Sequence, residues 1–578
     1  MSPRFIRPSL TLGAMMFLLG APACGQLLDL DSYTKTNSGP GGAGGGGEAG
    51  QGGMAGQAGQ GGQGGSMNEC TPNEMMSCYD GPAGTENKGI CKTGQKTCGA
   101  DGTYGACLGQ VTPTLENCAT IDDEDCNGTA AACTGLSTWS KSYGTTANDQ
   151  FGLVIRAMSD GSMVVAGSTS DTIDFGCGVL SSELGIPDIF LLKLDATGNC
   201  VFVKRFGTNG AYDYAYDVAI DTNDDILMTG GFTGTAIDFG GGALGGSGSN
   251  DIYLVRFDKN GSHIWSKKFG DNKDQLANSA IFDAQGNIIM AGDFGGVIDF
   301  GGGIGVTENT PSQMAGFVAK LDSQSAHIFS DAFRVPNLVG NFLTQTRATV
   351  DKQGNITVVG RFSGSLTVGN EAPLPSSGTG SDVFVLRYDS AGKLVFVKKF
   401  GSSGDDFGPQ IATATDGTTY IAGRIGSATI DLSALGGSTI NGMGGGDIYV
   451  VKLNADGTFA KAKVFGDSAD QLVTSVTVDP LGHVLLGGYY KGVLNFGKTP
   501  LGIAMNNTLF LAKLDADLNE LWARAMFSNQ AQYSIHVGTD AAANILLSGG
   551  FYGSLPIEVG KPLVSAGNAD IFVAKLAP

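Results

Sequence analysis

The chain has 578 residues, and its 35 Lys and Arg stand against 55 Asp and Glu, for a net charge of −20. That balance excludes nucleic acid and anionic membrane faces as partners, because both carry the same sign of charge. It suits solubility outside the cell and weak divalent-cation binding, and an apolar content of 42% is ample for a large core.

Residues 1–23 have the form of an export signal. Arg4 and Arg7 supply the positive region, and Leu10 to Leu19 supply an apolar stretch too short to span a bilayer. Ala21-Pro22-Ala23 fits the small-x-small pattern of ordinary signal peptidase, yet the next residue is Cys24. A Cys there resembles a bacterial lipobox, in which the thiol is lipidated and becomes the new N-terminus, although Ala21 replaces the usual Leu. Lipid anchoring through Cys24 and plain secretion both stand, and both put the mature chain beyond the cytoplasm, at the outer membrane or cell surface or in the medium. No later segment is long and apolar enough to span, so membrane contact is expected only through the lipid.

Residues 24–66 follow as a tether. From Gly39 to Gly65 the sequence is nearly all Gly, Gln, Ala and Ser, which cannot bury apolar surface and behaves as a flexible coil.

Residues 67–135 form a Cys-rich module with Cys70, Cys78, Cys91, Cys98, Cys107, Cys118, Cys126 and Cys133. Eight cysteines in so short an exported segment are a disulfide framework, since a unit of this size lacks a sufficient core. The pairing stays open at this level. Zinc is disfavoured because the module has no Cys-x-x-Cys pair and no His. Asp123-x-Asp125-x-Asn127-Gly128 matches the opening of a calcium loop, with oxygen ligands at alternate positions and Gly at the sharp turn. Thr134 stands where the bidentate Glu belongs, so the loop is incomplete and an acidic turn between disulfides is the competing reading. The run from Gly94-Gln95-Lys96-Thr97-Cys98 through Asp101-Gly102-Thr103-Tyr104-Gly105-Ala106-Cys107 and Glu116-Asn117-Cys118 to Asp125-Cys126-Asn127-Gly128 resembles a Cys-rich module of large secreted bacterial proteins. That resemblance implies a metal-binding role for the last element and makes calcium the candidate ligand.

From 137 to 578 one paragraph of about 63 residues is written seven times. A strand-ending aromatic marks each copy, at Tyr143, Phe206, Phe269, Phe333, Phe400, Phe465 and Phe527. A small residue plus Gly is the second landmark, from Ala166-Gly167 and Gly230-Gly231 to Gly549-Gly550, and Ile173-Asp174-Phe175-Gly176 opens the third. The fourth is a strand of the type Asp188-Ile189-Phe190-x-x-Lys193-Leu194-Asp195. In copy one the predicted strands lie near Leu153–Ser159, Met163–Ser168, Ile189–Leu194 and Val201–Phe206, separated by the turn signals Asp160-Gly161 and Thr197-Gly198-Asn199. The third strand is apolar on both parities, as a strand sandwiched between neighbours must be. Trp139, Phe202, Trp265, Phe329 and Phe396 stand four residues before the landmark and read as packing between blades, with Trp139 buried. Phe459 and Trp522 stand further upstream, which predicts small bulges in those two copies.

The last copy stops at Asp570–Leu576 with no fourth strand, while Trp139 to Gly144 supplies an unpaired one at the other end. This predicts an all-β ring, a seven-bladed β-propeller of four-stranded blades closed by its N- and C-terminal strands. The repeat resembles the bacterial secreted β-propeller repeat (SBBP-type) family, most specifically in the Asp-Ile-Phe strand and the Ala-Gly before it. The resemblance implies fold and extracellular setting and no agreed activity. Copy three departs most, with Ala315-Gly316-Phe317 for Asp-Ile-Phe and Arg334 for the closing Gly. Cys177 and Cys200 occur only in copy one and are a further disulfide candidate.

Innermost strands line a propeller channel, so polar residues there are the first place to look for a site. Four residues before the first-turn Asp of each copy the sequence reads Arg156, Asp217, Ser279, Arg347, Ala412, Ser475 and His536. An Arg156–Asp217 salt bridge in a wet channel is the plain reading of that ring. Catalysis is not expected: the channel has one His, and the chain lacks a nucleophile elbow, a sialidase Asp-box and a phosphate loop. The second candidate is the long-loop face. Asp149, Asp213, Asp274, Asp405, Asp406 and Asp470 precede first strands there, and Asp188, Asp251, Asp382, Asp447 and Asp570 begin third strands. That face is therefore expected to be acidic, its third-strand Asp capping loop amides or, in the minority reading, binding cations. The expected role is a monomeric surface binding or scaffold protein for a protein or glycan; the alternative is a polymer-acting hydrolase or lyase working through the channel.

Overall fold

Every repeat folds into antiparallel strands because two short turns and one longer connection separate four strands, two of which are apolar on both parities. The computed structural model describes residues 70–578 apart from 115–121, 125, 127, 129–134, 147–149, 182–184, 209, 303–305, 308–314, 336–341, 499, 529, 533 and 559. The export signal, Cys24, the tether, Cys118, Cys133, Asp125, Asn127 and Asp149 lie outside the described residues.

In blade 1 the strands, A innermost to D outermost, are Gln150–Ala157, Met163–Thr169, Asp188–Leu194 and Cys200–Phe206. Six blades have this sequential order. Blade 7 is the exception: its A, B and C strands are His536–Thr539, Ile545–Phe551 and Asp570–Leu576, and its D strand is Ser137–Tyr143. Trp139 pairs with Lys575 and Tyr143 with Ile571 in that closing ladder. The chain is thus a seven-bladed β-propeller.

Strands B and C of blade 1 are buried at every residue. The core is accordingly divided into seven clusters, one at each blade–blade boundary. One joins Tyr143, Ile571 and Val573 of blade 7 to Ile155, Phe190 and Leu192 of blade 1, and so completes the ring. The Ile-Asp-Phe-Gly landmark is a small extra hairpin between strands B and C, Ile173–Asp174 with Val179–Leu180 in blade 1. Its Phe175 lies 5.1 Å from Tyr143 of blade 7 and 5.0 Å from Phe190 of its own blade. Phe239, Phe300 and Phe496 repeat that bridge between the preceding blade's closing aromatic and their own third strand.

The conserved-looking third strand also carries two polar locks. In blades 2, 3, 4, 6 and 7 its Lys or Arg pairs with the first-turn Asp of the same blade, as in Lys320–Asp283 at 2.9 Å, Arg387–Asp351 at 2.6 Å and Lys513–Asp479 at 3.0 Å. Third-strand cations also donate to a carbonyl in the next blade's outer turn, Lys193 to Lys259 O and Arg387 to Ala455 O. At the other end, the strand's first Asp lies where a Cβ on the closing residue would sit. A side chain at Gly207 would fall inside the Asp188 carboxylate, and the same holds for Gly144 and Asp570. The departures are coupled: Ala315 goes with Arg334 in blade 3, and Thr508 with Phe527 in blade 6.

Three expectations need correction. Blade 6 closes on buried Met526, paired with Leu509, and not on Phe527, which is 46% exposed. In that register Trp522 stands four residues before the landmark like its counterparts, and a bulge between the Lys and the last residue of strand C occurs in all seven blades. Second, the B-strand glycines that face the third-strand aromatic are Gly230 and Gly549, so the small-Gly pairs of blades 2 and 7 are Thr229-Gly230 and Ser548-Gly549. Third, Trp139 is half-buried; it lies over the turn at Gly198, and its indole N–H donates to Ala196 O at 3.2 Å. Gly198 has φ +82° and closes a type I turn capped by the Asp195 carboxylate, which accepts from Thr197 N and Asn199 N.

In the Cys-rich module Met75–Cys78 pairs with Gly94–Thr97, and disulfides join Cys70–Cys98, Cys78–Cys107 and Cys91–Cys126. Cys177 and Cys200 are bonded in blade 1.

Deleting residues 138–143 is expected to abolish cooperative thermal unfolding, because it opens an edge and strips one face of blade 7. Trp139→Ala alone is expected to cost about 2 kcal/mol in chemical denaturation, below the ~3–5 of a fully buried Trp. Gly207→Ala should cost about 1–3 kcal/mol by overpacking, and much less when Asp188→Ala is already present. Equal costs in both backgrounds would refute the Asp–Gly lock.

Candidate functional site

Strand A of every blade runs along the axis, and its bulge decides which side chain faces the channel. Pairing across to strand B aligns the seven blades at Val154, Asp217, Ser279, Arg347, Gln410, Ser475 and His536. Five of these residues are those expected from the sequence. Arg156 and Ala412 lie two residues further along their strands, because the turn Asp of blades 1 and 5, Asp160 and Asp416, caps a later turn position than Asp221 does. The signal that finds the true ring is the strand-B glycine: each ring residue stands thirteen residues before Gly167, Gly230, Gly292, Gly360, Gly423, Gly488 or Gly549.

The two layers share one cavity of about 250 Å³, lined also by Tyr216, Thr477 and Thr539. Arg156 reaches up a layer to Asp217 at 2.9 Å and also donates to Ile155 O. Asp217 is further held by Val218 N–H and Ala280 N–H. Burial raises its carboxyl above the usual range, while Arg156 and Arg347 pull it down. Arg347 comes from the far side of the ring and donates to Asn278 O at 3.1 Å; among the described residues no carboxylate lies within ion-pair distance of it. Enclosure pushes His536 down to about 3, with the Arg347 and Arg156 charges adding to the effect, so the ring is neutral at physiological pH. The channel therefore offers guanidinium, hydroxyl and amide groups, with neither a free carboxylate nor a protonated imidazole.

The long-loop face departs from expectation. Asp188, Asp213, Asp251, Asp382, Asp406, Asp447 and Asp570 are buried. Asp251 accepts from Ser247 N, Asp382 from Ser377 N, Asp447 from Met443 N and Asp570 from Ala566 N, and Arg205, Lys268 and Lys399 neutralise Asp188, Asp251 and Asp382. Of the others, Asp405 pairs with Arg361 and Asp470 with Arg424. Those two arginines flank the Phe407 ring, at 3.9 Å and 5.4 Å, with Phe342 on the outer side of Arg361. The face is a set of mostly buried carboxylates and an Arg–Phe stack, not an open acidic surface; one oxygen each of Asp213, Asp382, Asp447 and Asp570 is buried without a hydrogen-bond partner, and among the described residues no three acidic, His or Cys side chains could hold a metal. Asp123 of the incomplete calcium loop accepts Gly128 N–H.

No family model matches the chain. It is 22% identical over 491 residues to an uncharacterised WD repeat-containing protein of Acanthamoeba polyphaga mimivirus, covering 70% of this chain and 34% of that protein, so the chain spans about a third of that relative's length. Among solved structures it is similar to a protein of unknown function from Dyadobacter fermentans, at 11% identity, 76% and 98% coverage and TM-score 0.36. It is also similar to the Pan2 WD40 domain of Neurospora crassa, at 10% identity, 77% and 98% coverage and TM-score 0.37.

Burial raises the Asp406 carboxyl to about 7, with Asp382 nearby adding to the shift. A folded-state value above the ordinary carboxylate value of 3.8 means that the folded protein holds this proton more tightly. The stability it contributes is complete below about pH 4 and lost as pH rises through about 7. Asp406→Asn should therefore change the slope of melting temperature against pH between those limits, making it flatter than wild type. A constant offset with an unchanged slope would refute the assignment.

Proposed function

We propose that this chain is an exported, lipid-anchored protein of the outer membrane or cell surface that binds a protein or glycan with its propeller, acting as a binding or scaffold module and not as an enzyme. The observation that carries the binding reading is the state of the channel's two proton-transfer candidates. Asp217 is occupied by Arg156 and two backbone amides, and His536 is neutral and a very weak base. General acid–base work needs a group free to exchange its proton at the working pH; His536 is too weak a base, and Asp217 is held in an ion pair. Two further features support the setting. Disulfides at Cys70–Cys98, Cys78–Cys107, Cys91–Cys126 and Cys177–Cys200 belong to an oxidising compartment. The export signal, the Cys24 lipobox and the resemblance to secreted bacterial propeller repeats point the same way, and the tether would hold the ring clear of the membrane as a monomer.

Wild-type protein expressed with its export signal should partition into detergent, and Cys24→Ser should release it to the medium, since stable retention needs the several acyl chains of a lipoprotein. Immobilised protein should retain a component of the native envelope and release it chemically unchanged. Turnover of a glycan or peptide panel that His536→Ala abolishes would replace this reading with the enzymatic one.

A further inference from the structure

The channel cavity, about 250 Å³, holds on the order of eight waters or a group the size of one sugar ring. Its walls are unbalanced in hydrogen-bonding character. Arg347 uses one N–H on Asn278 O, and Arg156 is bonded to Ile155 O and Asp217; a guanidinium carries five N–H donors, so both forks have donors left. Ser279 and Ser475 accept backbone N–H groups of the neighbouring blades, from Ala348 at 3.0 Å and Val537 at 3.1 Å. Each hydroxyl therefore keeps its own hydrogen for the cavity. The carboxylate acceptor is largely occupied. Asp217 is the one carboxylate among the described lining residues, and three donors hold it. Asp293, behind Arg347, is bonded to Thr346, Gln345 and Asn278 and does not line the cavity.

An enclosed site with surplus donors, two of them guanidinium forks, is complementary to an anion. The charge of the whole molecule narrows the class. A chain at −20 repels a polyanion, so the group that enters carries a single local charge. Away from the arginines the lining mixes Ser, Thr and Gln410 with apolar residues such as Val154, Ile281 and Val476, and that mix suits the hydroxyls and the C–H faces of a sugar ring.

We propose that the channel binds the carboxylate of an acidic sugar, gripped between Arg156 and Arg347, with Ser279, Ser475 and His536 contacting the ring hydroxyls. This deepens the glycan branch of the surface-binding reading and rests on it. The test is calorimetric titration of the full exported chain with glucuronic acid, with glucose and methyl glucuronate as uncharged controls and inorganic sulfate as a bare anion. Glucuronic acid should bind, and the uncharged controls and sulfate should be weaker by about tenfold or more. Arg347→Gln should lose about tenfold in affinity, and Arg347→Lys should recover part of it while melting like wild type. Absence of glucuronate binding, binding no tighter than sulfate, or full affinity in Arg347→Gln would overturn the proposal. Envelope capture by a wild-type chain that does not bind glucuronate would sink this inference and leave the surface-binding reading standing; absence of both in the wild type would sink both.

Discussion

A strand whose two faces are both apolar needs a neighbour on each side, and in this chain that requirement governs everything else. Strands B and C present Val, Ile, Leu and Phe on both parities, so a blade standing alone would expose one of its faces to water. A stack of blades satisfies all but the two at the ends. Closure satisfies those as well, and the chain achieves it by keeping the seventh blade's outer strand at the N-terminal side of the repeat region. The seven boundary clusters are the direct expression of this constraint, and the aromatic bridges through Phe175, Phe239, Phe300 and Phe496 set the contact from one blade to the next.

The polar residues of the repeat serve the same end. The third-strand Arg387 is buried, so it must be paired, and it meets both the first-turn Asp of its blade and a carbonyl of the next. The first Asp of that strand displaces any side chain from the closing position, which is why Gly stands there and why the two residues depart together in blades 3 and 6. Many of the chain's aspartates are buried in this way inside the ring. An acidic composition therefore does not translate into an acidic binding face.

The channel is different because nothing in ring closure requires its side chains. Small apolar residues would close the axis equally well, yet Arg156, Asp217, Arg347 and His536 converge there from four blades. Two guanidiniums near one another are unfavourable in isolation, and each depresses the proton affinity of His536. Such an arrangement is at odds with the third-strand cations, five of which pair with a carboxylate of their own blade, and local conflict of that kind is what a ligand site leaves in an otherwise consistent fold.

Repeat number, strand order, closure and the all-β class were legible in the sequence, because each rests on a period of about 63 residues and on local signals, turn glycines and apolar parity, that do not depend on distant neighbours. The cysteines announced a disulfide framework, but which pairs join, as in Cys78–Cys107, is set by how the hairpin Met75–Cys78 with Gly94–Thr97 folds back. The channel residues were legible as a set, yet the layer of Arg156 and Ala412 was misread, because a cap that shifts by two positions within a turn is invisible to counting and only strand pairing fixes it. Sequence alone assigned the aspartates to one face; tertiary structure decided that most of them point inward, because only there do the loop amides, lysines and arginines that satisfy them come together.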